Sequence, residues 1–257
     1  MFWNSKVTIK NDEEIALMRE SGRLLSIVFK ELEAYVRPGI STKEIDTFAE
    51  KTIRGLGGVP NFLNYEGFPG SVCTSVNDQV VHGIPSEYEI LDEGDIISLD
   101  CGLIYKGYHS DAARTYGVGK ISKEAKDLID VTRRSFFAGI EKAVAGNRLY
   151  DISRAIDDYI APHGYGIVRE LTGHGIGKNL HEEPMIPNYK KLFGRGIKLK
   201  AGMTLAIEPM ITYGSRRVVW AEDDWTVITE DGSLAAHYEN TILVTEGRPE
   251  ILTLYKE

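Results

Sequence analysis

The 257-residue sequence holds only two cysteines, Cys73 and Cys101. They form neither a CxxC pair nor a zinc-knuckle spacing, which excludes a disulfide scaffold and a zinc-finger extension; free thiols in a reducing compartment are expected. There is no run of about 18 uncharged apolar residues, so no membrane-spanning helix is expected. The opening stretch MFWNSKVTIKNDEEIALMRE lacks the basic-then-apolar layout of a secretion signal. Positive charge is scarce: 30 Lys and Arg against 38 Asp and Glu give a net charge of -8. With no Lys/Arg cluster, nucleic acid is not an expected partner. Three catalytic motifs fail as well. GHGIGK lacks the four residues between glycines and the Lys-Ser/Thr ending of a phosphate loop. HEEPM, from His181, has Met185 where a zincin needs its second His, and Pro184 would break the helix. No Ser stands in G-x-S-x-G.

What is present is ample apolar content, 42% of residues, enough for a large core in one broad domain or two fused halves. Ile15, Met18, Leu25, Val28, Phe29, Leu32 and Val36 recur at helical spacing over residues 12–36. A second helix opens at Ser41-Thr42 with Glu44 completing the cap, and ends near Gly55 to Gly58. The same plan returns as helices over 121–144 and 150–161. An offset of 107 positions pairs Phe29 with Phe136, Gly39 with Gly146, Glu44 with Asp151 and Gly57 with Gly164. The expectation is an α+β fold in which duplicated helix pairs cover a shared antiparallel sheet, divided at about 12–117 and 118–257. Further strands are expected at 72–76, 166–171, 203–211 and 237–245.

The stretch Asp95 to Thr115 reads as a β-hairpin with Lys106-Gly107 as its turn. Tyr105 then faces Tyr108, Gly102 faces Asp111 and Asp100 faces Ala113, placing Asp100 and Asp111 on one face as diagonal neighbours. Two readings are open: both acids face solvent, or a divalent cation sits between them. Elsewhere His174 is bracketed by glycines, Glu208 ends the apolar run Leu205-Ala206-Ile207 before Pro209, and Glu239 precedes the run Ile242-Leu243-Val244. An unpaired carboxylate in a buried strand costs several kcal/mol. Four carboxylates in one site would be neutralised by two divalent cations, and oxygen ligands with one imidazole suit Mn, Fe, Co or Zn.

Asp100, Asp111, His174, Glu208 and Glu239, in the contexts SLDCG, HSDAART, GHGIG, AIEP and YEN, resemble in order the five ligands of the dinuclear metallopeptidases with the pita-bread fold. VNDQVVHGIP and TGHGIGKNLHEEP resemble the type I methionine aminopeptidases within that group. The resemblance implies a single catalytic domain with two divalent ions, Asp111 and Glu239 bridging, and an ionised water attacking the scissile carbonyl with Glu208 accepting its proton. It implies that His82 and His181 contact the substrate around the scissile amide. It also implies that Tyr65, Phe68, Cys73, Leu180 and Trp225, with Phe62 nearby, wall a methionine pocket. Leu180 departs from an expected aromatic, Phe62 from a small or sulfur-bearing residue, and His237 from a Gln; His109, His163 and His237 receive no role. The expected activity is removal of the initiator methionine in the cytoplasm, favouring a small second residue, by a monomer acting on nascent peptide N-termini, with the ribosome as a candidate partner. An Xaa-Pro peptidase of the same fold and a non-catalytic binding protein are the alternatives.

Overall fold

The computed structural model describes residues 7–255; positions 1–6, the start of the stretch lacking a secretion-signal layout, and 256–257 lie outside the described residues. Helix α1 (Asp12–Tyr35) starts where Asn11 accepts from the Glu14 N–H and Glu14 returns a bond to the Asn11 N–H, both at 3.0 Å. Helix α2 (Thr42–Gly55) is capped likewise by Ser41 and Glu44. These reciprocal bonds satisfy N–H groups that a helix start leaves without partners. Helices α3 (Lys123–Ile140) and α4 (Leu149–Ile160) follow, shorter at the first helix's C-terminal end than the periodicity suggests. Asp151 accepts from the Arg148 N–H as Glu44 does from Ser41, 107 positions earlier. The paired glycines obey the same offset: Gly39 and Gly146 have φ of 81° and 96°, Gly57 and Gly164 of 80° and 73°. Both helix pairs therefore stop on left-handed residues that glycine adopts without steric cost.

The strands form one nine-stranded antiparallel sheet and two three-stranded sheets among the described residues. The large sheet runs Val59–Pro60, Ile96–Tyr105, Tyr108–Gly117, Glu239–Leu243, Thr204–Ile207, Gly173–Gly175, Glu182–Ile186, with Val72–Val76 also paired to Ile96–Tyr105 and Glu250–Ile251 to Glu239–Leu243. The hairpin register is the expected one, Tyr105 opposite Tyr108, Gly102 opposite Asp111 and Asp100 opposite Ala113. Its turn holds Lys106 at φ 48° and Gly107 at φ 83°, the two positive values that a tight two-residue hairpin turn needs. On the helix-facing side, Ile97, Leu99, Cys101 and Leu103 pack under α1 and α2, while Leu205, Ile207 and Ile242 pack under α3 and α4. The period-2 alternation leaves the even-numbered residues of the hairpin's first strand on the opposite face.

Three strand expectations are corrected. Residues 203–211 do not form one strand: Thr204–Ile207 lies in the large sheet and Met210–Thr212 in a small one, and the chain changes sheet at Glu208-Pro209. Pro209 has no N–H to continue a ladder, which accounts for the break. Residues 237–245 divide in the same way into Ala235–His237 and Glu239–Leu243. The 166–171 stretch is a strand only over Gly166–Ile167. Of HEEP, rejected as a helix motif, Glu182 to Pro184 lie in strand Glu182–Ile186 and His181 immediately precedes it.

Gly22 of α1 faces the C-terminal segment so closely that a Cβ would stand 2.4 Å from the Leu252 carbonyl oxygen. Alanine gains up to ~1 kcal/mol in helix propensity over glycine, whereas overpacking against backbone costs ~1–3 kcal/mol. Gly22→Ala is therefore expected to lower stability, read as a fall in the urea midpoint; an unchanged or higher midpoint would show that the segment yields.

Candidate metal centre

Strand register alone assembles the site. Cys73 lies opposite Asp100, Asp100 opposite Ala113, and Ala113 opposite Glu239. Continuing the pairing of Asn240 with Ile207 by one residue sets Glu208 beside Glu239. The adjacent row places Gly102 opposite Asp111, Thr241 opposite Ala206, and Ala206 opposite His174. Directly opposed residues share a face, as do residues two apart on a strand. Asp100, Glu239, Glu208, Asp111 and His174 thus project to one side in two neighbouring rows, separated by the small side chains of Ala113, Ala206 and Gly102.

The side chains meet. His174 Nε2 stands 3.8 Å from Asp111 Oδ2 and 3.6 Å from Glu208 Oε1, and ligand atoms of Asp111, His174 and Glu239 lie within 4.8 Å of one another. The Asp100 carboxyl lies beside that of Asp111. The His174 distances exceed a hydrogen bond but fall inside twice the ~2.1 Å bond length of a divalent cation to nitrogen or oxygen, the separation expected of two atoms sharing one ion. His174 Nδ1 is 2.8 Å from the Gly175 carbonyl, which can only accept, so the proton sits on Nδ1 and the Nε2 lone pair faces the acids. Thr241 Oγ1 accepts from the Asp111 N–H and donates to the Asp111 carbonyl, both at 2.9 Å, fixing that residue to the Glu239 strand.

The electrostatics disfavour leaving all four acids ionised without a counter-charge. Asp100 Oδ1 and Glu239 Oε1 are buried with no hydrogen-bond partner. Burial pushes Asp100 up to about 7 from an ordinary 3.8. Burial, reinforced by Asp100 and Glu208, lifts Asp111 well above the usual carboxylate range; Glu208 is raised by burial and Asp100, and Glu239 by burial, Asp111, Glu208 and Asp100. Burial lowers His174 to about 4, so its imidazole is neutral near pH 7 and available as a ligand. Four acids, one neutral imidazole and orphaned carboxylate oxygens fit a divalent cation site.

All five residues line a cavity of about 320 Å³ that also contains His82, His181, Tyr65, Phe68, Cys73, Leu180, Trp225 and Phe62. Phe68 and Trp225 meet edge to face with centroids 5.2 Å apart, and Tyr65 Oη lies 2.9 Å from His181 Nδ1. His181 packs edge-on against His174, and burial first, then His174, lowers it to about 3. His82, at φ 60°, is lowered to about 4 by burial. Sequence reasoning missed Val81, Thr172, Met185, Met210 and the rim acids Glu66 and Glu170, which line the same cavity. Thr241 was missed too; its only sequence signal is its place two residues after Glu239.

Residues 16–246 match the model of metallopeptidase family M24. The chain belongs to this family. It is 54% identical to a methionine aminopeptidase of Clostridium acetobutylicum over 248 residues, covering 96% of this chain and 99% of the relative. A crystal structure of methionine aminopeptidase from Thermotoga maritima superposes with a TM-score of 0.94 at 41% identity, covering 97% of this chain and all of the other. An Xaa-Pro dipeptidase from Bacillus anthracis shares the fold at a TM-score of 0.77 and 26% identity, but this M24 chain covers only 62% of its length. The pita-bread architecture and the metallopeptidase class follow.

The raised carboxylates set a pH dependence. A group whose pKa is higher folded than unfolded binds more protons when folded, so stability falls as pH rises between the two values. For Asp100 that window runs from about 4 to about 7. Chelator-treated protein is expected to lose thermal stability across this range, and added Mn2+ to raise the midpoint more at pH 8 than at pH 5. Equal Mn2+ shifts at both pH values would contradict the charge-neutralisation account.

Proposed function

We propose that this metallopeptidase is a methionyl aminopeptidase holding two divalent cations, drawn from Mn, Fe, Co or Zn, through Asp100, Asp111, His174, Glu208 and Glu239. The observation that carries the reading is the convergence of these acids and one imidazole, from separate segments, in a single cavity whose other wall is apolar. The cations would supply Lewis-acid polarisation of the scissile carbonyl and a water nucleophile ionised near neutral pH.

The chain's own residues account for the rest. Glu208, raised by burial, is suited to take the proton from attacking water and pass it to the leaving amine. With Tyr65 Oη donating to Nδ1, neutral His181 carries its proton on Nε2 and donates to the developing oxyanion. His82 contacts the substrate near the same amide. Phe62, Phe68, Leu180, Trp225 and the Cys73 sulfur offer aromatic and polarisable surface to a thioether. A cavity of about 320 Å³ is at the small end of ligand sites, in keeping with one methionine and a small second residue. Nascent peptide N-termini are the substrates, which places the reaction in the cytoplasm, with a monomer acting at or near the ribosome.

Two measurements test this reading. Met-Ala-Ser should be cleaved and an Xaa-Pro peptide left intact; the reverse order would transfer the chain to the prolyl-directed activity. Glu208→Gln should lower kcat by at least ~100-fold, the typical contribution of a general base, with an unchanged far-UV circular dichroism spectrum. Retained turnover would remove Glu208 from the mechanism.

A further inference from the structure

Arg114 lies behind the metal centre, on the helix-facing side of the sheet, and all four of its hydrogen-bond acceptors are uncharged oxygens. Nη1 donates to the Ala113 carbonyl at 2.7 Å and, at shorter range, to the Glu239 carbonyl. Nη2 donates to Asn240 Oδ1 at 2.6 Å and to the Thr253 carbonyl at 3.3 Å. The guanidinium plane is held between rings, 4.5 Å from the Tyr238 centroid and 5.3 Å from that of Phe29 in α1.

This planar fork spans the point where the chain leaves strand Ala235–His237 and enters Glu239–Leu243. Pairing between Tyr108–Gly117 and Glu239–Leu243 reaches only Glu239 and Asn240, so the ladder near Glu239 is short. Arg114 extends it: Nη1 bridges the carbonyl of Ala113, two residues from Asp111, to that of Glu239 itself, while Nη2 holds Asn240 Oδ1 and the Thr253 carbonyl. Asn240 Oδ1 also accepts from Thr253 Oγ1 at 3.0 Å, and Thr253 Oγ1 accepts from the Thr241 N–H at 3.2 Å. Thr241 in turn holds both backbone polar groups of Asp111. A closed circuit thus runs from Arg114 through Asn240, Thr253 and Thr241 to Asp111.

We infer that Arg114 is a positioning residue that fixes the separation of Asp111 and Glu239, so that both carboxylates reach the same cations. It touches neither substrate nor cation. Its role needs the fork: lysine keeps the charge but its single nitrogen cannot serve both the Ala113 and Glu239 carbonyls on one side and Asn240 Oδ1 with the Thr253 carbonyl on the other. The inference rests on the metal-centre reading above, and the test separates the two.

Mn2+ is titrated calorimetrically into chelator-stripped full-length wild type, Arg114→Met, Arg114→Lys and Thr253→Val, with kcat and KM measured on Met-Ala-Ser and thermal midpoints recorded alongside. Loss of a residue that orients ligands from behind typically weakens metal affinity by about 10- to 100-fold. Arg114→Met is expected to lose affinity within that range and to lower kcat with KM within about twofold, since the apolar wall is untouched; Arg114→Lys should recover only part. Wild-type Mn2+ affinity in a folded Arg114→Met, whatever its midpoint, would overturn the inference while leaving the metal centre standing. Should Arg114→Met fail to fold, wild-type affinity in both Arg114→Lys and Thr253→Val overturns it instead. A wild type that takes up no Mn2+ overturns the metal-centre reading and this inference together.

Discussion

Repulsion among four clustered carboxylates, three of them buried, is the constraint around which this molecule is built. Asp100, Asp111, Glu208 and Glu239 share one face of a sheet, largely shielded from water, where burial and neighbouring carboxylates raise the cost of ionising Asp111, Glu208 and Glu239 and burial raises that of Asp100. Left ionised and without a counter-charge such a cluster opposes folding; a bound divalent cation would make it the point where distant segments are tied together. On the function proposed above, stability and catalysis would draw on the same charges.

The architecture explains how the cluster is held. Helix pairs cover one face of the large sheet through Leu99, Leu103, Leu205 and Ile242, leaving the other face free for polar residues. Two glutamates sit where the chain leaves one sheet for another, Glu208 before Pro209 and Glu239 after Tyr238. At such junctions a side chain escapes the crowding of a continuous ladder while its backbone stays anchored. Asn188 pins the Glu208 carbonyl at 3.0 Å, and Arg114 pins that of Glu239. Both glutamates are thus braced from behind, with the cavity in front of them.

Much of this was legible in the sequence where local rules dominate. The hairpin register followed from Lys106-Gly107, because a two-residue turn dictates every pairing above it. The α2 cap was visible as Ser41 and Glu44, and the duplicated glycines as repeated helix stops. The five candidate residues were singled out by their contexts, and the structure brings all five to one cavity. What local rules could not give was the division of 203–211 and 237–245 between sheets: their apolar runs read as continuous, and only tertiary pairing decides where a strand changes partner. Arg114 and Thr241 were hidden for the same reason, since their partners lie more than a hundred positions away in the chain.

The central claim is that these acids exist to hold a cation pair. Its most direct test is an anomalous difference map at the manganese edge from crystals grown with Mn2+. Two peaks about 3.5–4 Å apart, within reach of Asp100, Asp111, His174, Glu208 and Glu239, are the predicted result. A map with no peak among these side chains, in crystals where they remain clustered and buried, would contradict it.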